Sequence, residues 1–265
     1  IIFAGSNRDY ETEASDRADL ELPFGQVELI NKVLEVNPNA IVVMIAGAPF
    51  DINMIKEKSS ALVWSWFNGS EGGNALADVL LGNINPSGKL PWTMPKTLND
   101  SPAHATNSFP GNQTVSYDEG ILVGYRWFDT KQVEPLYPFG YGLSYTTFNI
   151  KNVHADKTDA YSEDDTIYIS VDIENTGNKN GKEVVQLYST KTNSEVERAA
   201  QELKGFEKVM VHAGQTVTAV IAVPVKELAY YHVEKKSWVV ESGAYTFKLG
   251  SSSRDIKQEI TIHVN

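Results

Sequence analysis

The chain has 265 residues and a formal net charge of −11. That balance argues against nucleic acid or an anionic membrane as a partner, since either would need a basic surface. The absence of cysteine excludes disulfides and thiolate metal sites, and the five histidines are scattered without ligand spacing. A hydrophobic share of 42% with 22% charged residues describes a globular protein with no disordered or fibrous bias, long enough for two domains. No apolar run approaches the roughly 18 residues of a membrane span.

The chain opens inside an apolar run, Ile1-Ile2-Phe3-Ala4, with no initiator methionine or signal peptide. It reads as the C-terminal part of a longer polypeptide. "IIFAG" predicts a buried strand, followed by a loop, "RDYETEASDR", that carries Asp9, Glu11, Glu13 and Asp16. A helix is predicted from Gln26 to Val36, with Val27, Ile30, Val33 and Leu34 at helical spacing and Asn37-Pro38 ending it. "AIVVMIAG" is a continuous apolar run of the kind that forms a parallel strand buried on both faces. "ALVWSWF" predicts another strand, with Trp64 and Trp66 on one face as core, and "SEGGNALADVLLG" predicts a glycine-rich loop leading into a helix. Strands alternating with helices over residues 1–104 predict part of an α/β sandwich with a mostly parallel sheet.

Regular periodicity then fades between Asn83 and about Phe148, where Pro, Gly and aromatic residues dominate. Disordered linkers are poor in Tyr, Trp and Phe, so residues 105–148 read as an ordered, aromatic-rich strap between domains. Its rings, among them Tyr117, Tyr125, Trp127 and Phe128, could pack between domains or offer stacking faces to a sugar; packing is the expected role for most. From residue 149 to 265 the pattern is all β. "TIYISVDIENTG" puts Ile167, Ile169, Val171 and Ile173 on one face before a turn, and some seven short strands predict a β-sandwich of the immunoglobulin or fibronectin type III kind. The missing cysteine pair favours the fibronectin-like version.

In an α/β sheet, ligands meet the loops at the carboxyl ends of strands. "RDYETEASDR" is such a loop. It could be a solvated charged turn with Asp16 and Arg17 paired. Crowding of like charge is also one route to a carboxyl that keeps its proton, the property of a general acid. "SEGGNALADVLLG" fits neither the Walker nor the dinucleotide phosphate-binding pattern, so tight packing is its expected role, with Glu71 serving the helix dipole.

Three segments in order, "YETEASDRADLELPFGQVELI", "GSEGGNALADVLLGNINPSGKLPWTMP" and "SYDEGILVGYRWFDTKQVEPLYPFGYGLSYTTF", resemble the C-terminal region of glycoside hydrolase family 3. The tail segments "LKGFEKV" and "ESGAYTFKLGSSSRDI" fit the same family, so the resemblance covers essentially the whole chain. It implies the later part of an α/β sandwich domain followed by a fibronectin type III-like domain, in a retaining exo-β-glycosidase. The family's nucleophile is an aspartate of a barrel domain that no segment here resembles. Its general acid/base is a glutamate of a sandwich-domain loop, which maps onto Glu13 in preference to Glu11. Asp16-Arg17 would anchor that loop. Ala14 stands where many members have Gly, a mild departure.

The resemblance further implies a β-glucosidase, with β-xylosidase close behind. A non-catalytic carbohydrate-binding or scaffolding fragment is the reading of a different class. The expected partners are an oligosaccharide or β-glycoside substrate and the barrel domain, in the same protein or a companion chain. A homodimer is left open; no nucleic acid, membrane, cofactor or metal is expected. Periplasmic or secreted residence is a family expectation, and the sequons Asn68-Gly69-Ser70 and Asn112-Gln113-Thr114 would matter in a eukaryotic secretory pathway.

Overall fold

The structure is a computed structural model that describes residues 1–111 and 113–265, so Asn112 of the second sequon lies outside the described residues. The chain begins with β1 (Ile2–Gly5), α1 (Gln26–Val36), β2 (Ile41–Ile45), α2 (Asn53–Lys58), β3 (Ala61–Trp64) and α3 (Gly72–Leu80). The three strands form a parallel sheet in the order β1-β2-β3, with Ile2 opposite Val42 and Val42 opposite Leu62. Val42, Val43 and Met44 are fully buried, as an unalternating apolar run between two covered faces requires. Helix α1 lays Ile30 and Leu34 into a cluster with Ile2, Ala4, Phe50 and Ile55. Complete burial of a side chain such as Ile30 contributes roughly 1.5–3 kcal/mol.

The start of α1 is fastened by a glutamine. Gln26 Oε1 accepts the Gly5 N–H at 2.7 Å and its Nε2 donates to the Gly5 carbonyl, also at 2.7 Å. This side-chain amide therefore completes the hydrogen bonding of the last residue of β1 and ties helix to strand. Strand β3 is shorter than its apolar run suggests. It ends at Trp64, and Trp66 follows at φ 57°, outside the strand. The two indoles still pack together, each meeting the Trp92 ring at 5.5 Å.

The strap is ordered by backbone pairing with the segment that follows α3. Leu90 donates to the Tyr141 carbonyl, Met94 to that of Tyr137 and Leu136 to that of Met94, each at 2.8 Å. A short helix, α4 (Pro102–Ala105), leads into it, and a second, α5 (Tyr125–Thr130), lies within it. Several of its aromatics pack between the two halves of the chain. Tyr125 stacks on Phe139 at 4.7 Å, meets Tyr188 edge-on and accepts the Leu203 N–H at its hydroxyl. Tyr117, 79% exposed, does not share this role. Two buried or half-buried ion pairs add to the seam: Lys89 with Glu183 at 2.7 Å, and Arg254 with Asp129 at 2.5 Å.

Ten strands follow, more than the seven expected: β4 (Phe148–Ala155), β5 (Asp159–Ala160), β6 (Thr166–Asn175), β7 (Gly181–Lys191), β8 (Glu202–Val211), β9 (Thr216–Pro224), β10 (Tyr230–His232), β11 (Ser237–Val239), β12 (Gly243–Ser252) and β13 (Asp255–Val264). The excess consists mainly of short strands such as β5 and the β10–β11 hairpin, whose few residues carry little alternation. Sheets β5-β13-β12-β7-β8 and β4-β6-β9 enclose one core, and β5 runs parallel to β13, which makes the larger sheet mixed. Ile167, Ile169, Val171 and Ile173 all face that core, as their alternation predicts.

In this sandwich the Glu241 carboxylate is clasped by Ser194, the Glu195 N–H and Arg198. Burial raises the pKa of Glu241, but the Glu195 N–H, Arg198 and Ser194 more than offset it, so the net shift is downward. A carboxyl whose folded pKa is depressed adds stability that is present above its unfolded value and lost as pH falls through the folded one. Glu241→Gln should therefore lower Tm at neutral pH, and the gap to the parent should narrow as pH drops below the ordinary carboxyl value of 4.5. A gap that stays constant in a series of melts from neutral pH to pH ~3 would remove Glu241 from the acid response.

Candidate active site

At the end of β1, Gly5 has φ 142°, and a Cβ there would run into the Ile45 carbonyl. The close approach lets Ser6 donate its N–H to Ile45 at 3.1 Å, one residue beyond the strand. Asn7 then reverses the chain: its carbonyl accepts the N–H groups of Tyr10 and Glu11, and its side-chain oxygen that of Asp9. The turn directs Glu11 back over the strand ends. There Ser6 Oγ donates to Glu11 Oε1, and the N–H of Gly47, just past β2, donates to Oε2 at 3.1 Å. Glu11 thus bridges the carboxyl ends of two adjacent parallel strands.

The loop is fastened again on its far side. Tyr10 stacks on Phe50 at 6.1 Å, the Arg17 guanidinium lies 4.3 Å from the Phe50 ring centre, and Arg17 Nη2 donates to the Pro49 carbonyl at 2.9 Å. Between these attachments, Thr12 to Asp16 are exposed, and Ala14 holds the left-handed conformation at φ 63°. The loop walls an open hollow of about 380 Å³ lined by Tyr10, Glu11, Glu13, Ser15, Asp16 and Arg17.

The two glutamates singled out in the sequence therefore share one hollow but differ in engagement. Both Glu11 oxygens accept protein hydrogen bonds, whereas the Glu13 carboxylate is exposed and accepts none among the described residues. Asp16 does not pair with Arg17. It is exposed, while the arginine is drawn to Pro49 and Phe50, so the anchor is Arg17 alone. Glu71 stands at the start of α3 and accepts a bond from Asn74 at 2.6 Å. Ser6 and Gly47 escaped the sequence reading; the available signal was a small residue just past each of two neighbouring parallel strands. Among the described residues, no group of three or more His, Asp or Glu side chains is placed to hold a metal ion.

The sequence profile of the glycosyl hydrolase family 3 C-terminal domain matches residues 1–145, more than half of the chain. The chain belongs to glycosyl hydrolase family 3. A fibronectin type III-like domain matches residues 183–253, within the mixed β-sandwich. Among family 3 relatives, the thermostable beta-glucosidase B of Acetivibrio thermocellus is 42% identical over 266 residues, an alignment that takes in 100% of this chain and 35% of that protein. The crystal structure of a Kluyveromyces marxianus beta-glucosidase in complex with glucose superposes with a TM-score of 0.92 at 42% identity, covering 99% of this chain and 31% of the other. A Bifidobacterium adolescentis family 3 beta-glucosidase gives 0.91 at 36% identity, with 99% and 38% covered. The chain thus spans about a third of the length of the relatives it matches.

Proposed function

We propose that this chain is the acid/base portion of a retaining exo-β-glucosidase, with Glu13 as general acid and then general base. The nucleophilic aspartate would reside on a barrel domain that is not among these 265 residues. The observation that carries this reading is the contrast between the two glutamates of one loop: Glu11 accepts through both oxygens, whereas Glu13 accepts no hydrogen bond among the described residues, on an arm held at the strand ends by Glu11 and at the loop after β2 by Arg17. A general acid must reach a glycosidic oxygen, and a carboxylate already committed to protein donors is poorly available for that.

In the first step Glu13 passes its proton to the glycosidic oxygen as the C–O bond breaks, and the aspartate forms a glycosyl ester at the anomeric carbon. In the second, ionised Glu13 takes a proton from water, whose oxygen attacks that carbon and releases the sugar with its original configuration. The two carboxyls would stand about 5–5.5 Å apart. A terminal β-glucosyl residue is the preferred substrate, supported by the beta-glucosidases among the relatives. Hydrolysis of nitrophenyl β-glucoside and β-xyloside by the chain joined to its barrel domain tests this, with the product anomer followed by NMR. Faster glucoside cleavage with β-glucose appearing first is expected. Faster xyloside cleavage would change the sugar, and first release of α-glucose would overturn the retaining mechanism.

A further inference from the structure

We infer that Glu11 is a positioning residue for the reaction: its carboxylate holds the arm that carries Glu13 at the ends of β1 and β2. This inference rests on the assignment of Glu13 above. Each oxygen of Glu11 is held from a different strand end, one by the Ser6 hydroxyl and the other by the Gly47 N–H at 3.1 Å, while its own N–H is bonded to Asn7 at 2.8 Å. A carboxylate that accepts from two separate backbone elements fixes both the direction and the height of the chain that bears it, and hydrogen bonds to a charged acceptor are the strong ones. Two residues farther on, Glu13 has no such restraint of its own among the described residues.

Gly47 belongs to the same device. A Cβ there would lie 2.9 Å from Glu11 Oε2 and 3.1 Å from the Phe67 ring, so only glycine leaves room for the carboxylate to dock with Phe67 in place. Phe67, three residues beyond β3 and 55% exposed, is thus the second neighbour that a side chain at Gly47 would meet. Displacing a catalytic group by about 1 Å can cost of order 10²-fold in rate. Loss of the clasp is thus expected to lower kcat with little change in KM, since Glu11 is spent on the protein and not on the sugar.

The test uses the enzyme that carries this chain with its barrel domain, in the variants Glu11→Ala, Glu11→Gln, Gly47→Ala and Glu13→Ala. Kinetics are measured on cellobiose and on 2,4-dinitrophenyl β-glucoside, with and without azide. Glu11→Ala should lose roughly 10- to 100-fold in kcat on cellobiose. Glu11→Gln, whose amide oxygen can still accept from Gly47 while its NH2 donates to the Ser6 hydroxyl oxygen, should recover part of that loss. Gly47→Ala, with both glutamates intact, should fall in the same direction as Glu11→Ala. Azide should restore turnover of the aryl glucoside, giving β-glucosyl azide, only in Glu13→Ala. A kcat within twofold of the parent for both Glu11→Ala and Gly47→Ala, with Glu13→Ala rescued by azide, overturns the positioning role alone. Formation of glucosyl azide by Glu11→Ala and not by Glu13→Ala overturns the Glu13 assignment and the positioning role together. If Glu11→Ala fails to fold, Glu11→Gln and Gly47→Ala decide the matter by the same split between kcat and KM.

Discussion

Replacing Glu13 by glutamine is expected to slow cellobiose hydrolysis by roughly 10²- to 10⁴-fold, the usual worth of general acid–base assistance. An amide fills the same space and carries no transferable proton, so the fold and the hollow should be unchanged. The loss should depend on the leaving group. Dinitrophenolate departs without protonation, so formation of the glycosyl ester from the aryl glucoside should be nearly as fast as in the parent. Hydrolysis of that ester still lacks its base. The intermediate then accumulates, KM falls together with kcat, and a burst of dinitrophenolate precedes slow turnover. Pre-steady-state absorbance measures the burst. Parental cellobiose turnover in Glu13→Gln would end the assignment.

A large effect on stability is expected at the seam between the strap and the sandwich. Lys89 Nζ lies 2.7 Å from Glu183 Oε1 and also donates to the Gly142 carbonyl at 3.0 Å; the two side chains are only 12% and 8% exposed. The Val184 N–H gives Glu183 a further bond at 3.0 Å. Removing the lysine charge leaves a buried carboxylate without its cation, which typically costs about 3–5 kcal/mol. Replacing both partners by apolar residues of similar volume is often neutral or stabilising. Lys89→Met should therefore lower the urea midpoint strongly, and Lys89→Met/Glu183→Leu should recover most of the loss. Equal destabilisation by the single and double variants would show that the side chains matter for packing and not for charge compensation.

Helix α1 was legible to the residue because periodicity, burial and a Pro-bearing stop coincide there. Alternation in β6 and the unbroken apolar run of β2 were equally plain, since both report burial directly. Strand β3 was overextended because Trp66 has the composition of a strand but the backbone of a turn. Within the acidic loop, local pattern located the carboxylates, and only the family resemblance ranked Glu13 above Glu11; the hydrogen bonds that engage Glu11 were not legible. Glu11 and Glu13 differ through Ser6, five residues before Glu11, and Gly47, thirty-six after it. Contacts across a parallel sheet follow from strand order, which local pattern does not encode. Likewise, adjacency in sequence suggested an Asp16–Arg17 pair, whereas the Phe50 ring and the Pro49 carbonyl, brought near by the loop after β2, claim the arginine.

Ala14 follows Glu13 at φ 63°, a conformation that glycine enters freely and alanine only at some cost. A glycine would relax the folded loop but would also give the arm many more shapes to sample. Alanine narrows that sampling in both the folded and unfolded chain. The methyl group thus exchanges a small energetic penalty for a stiffer loop beside Glu13, one with fewer conformations to search.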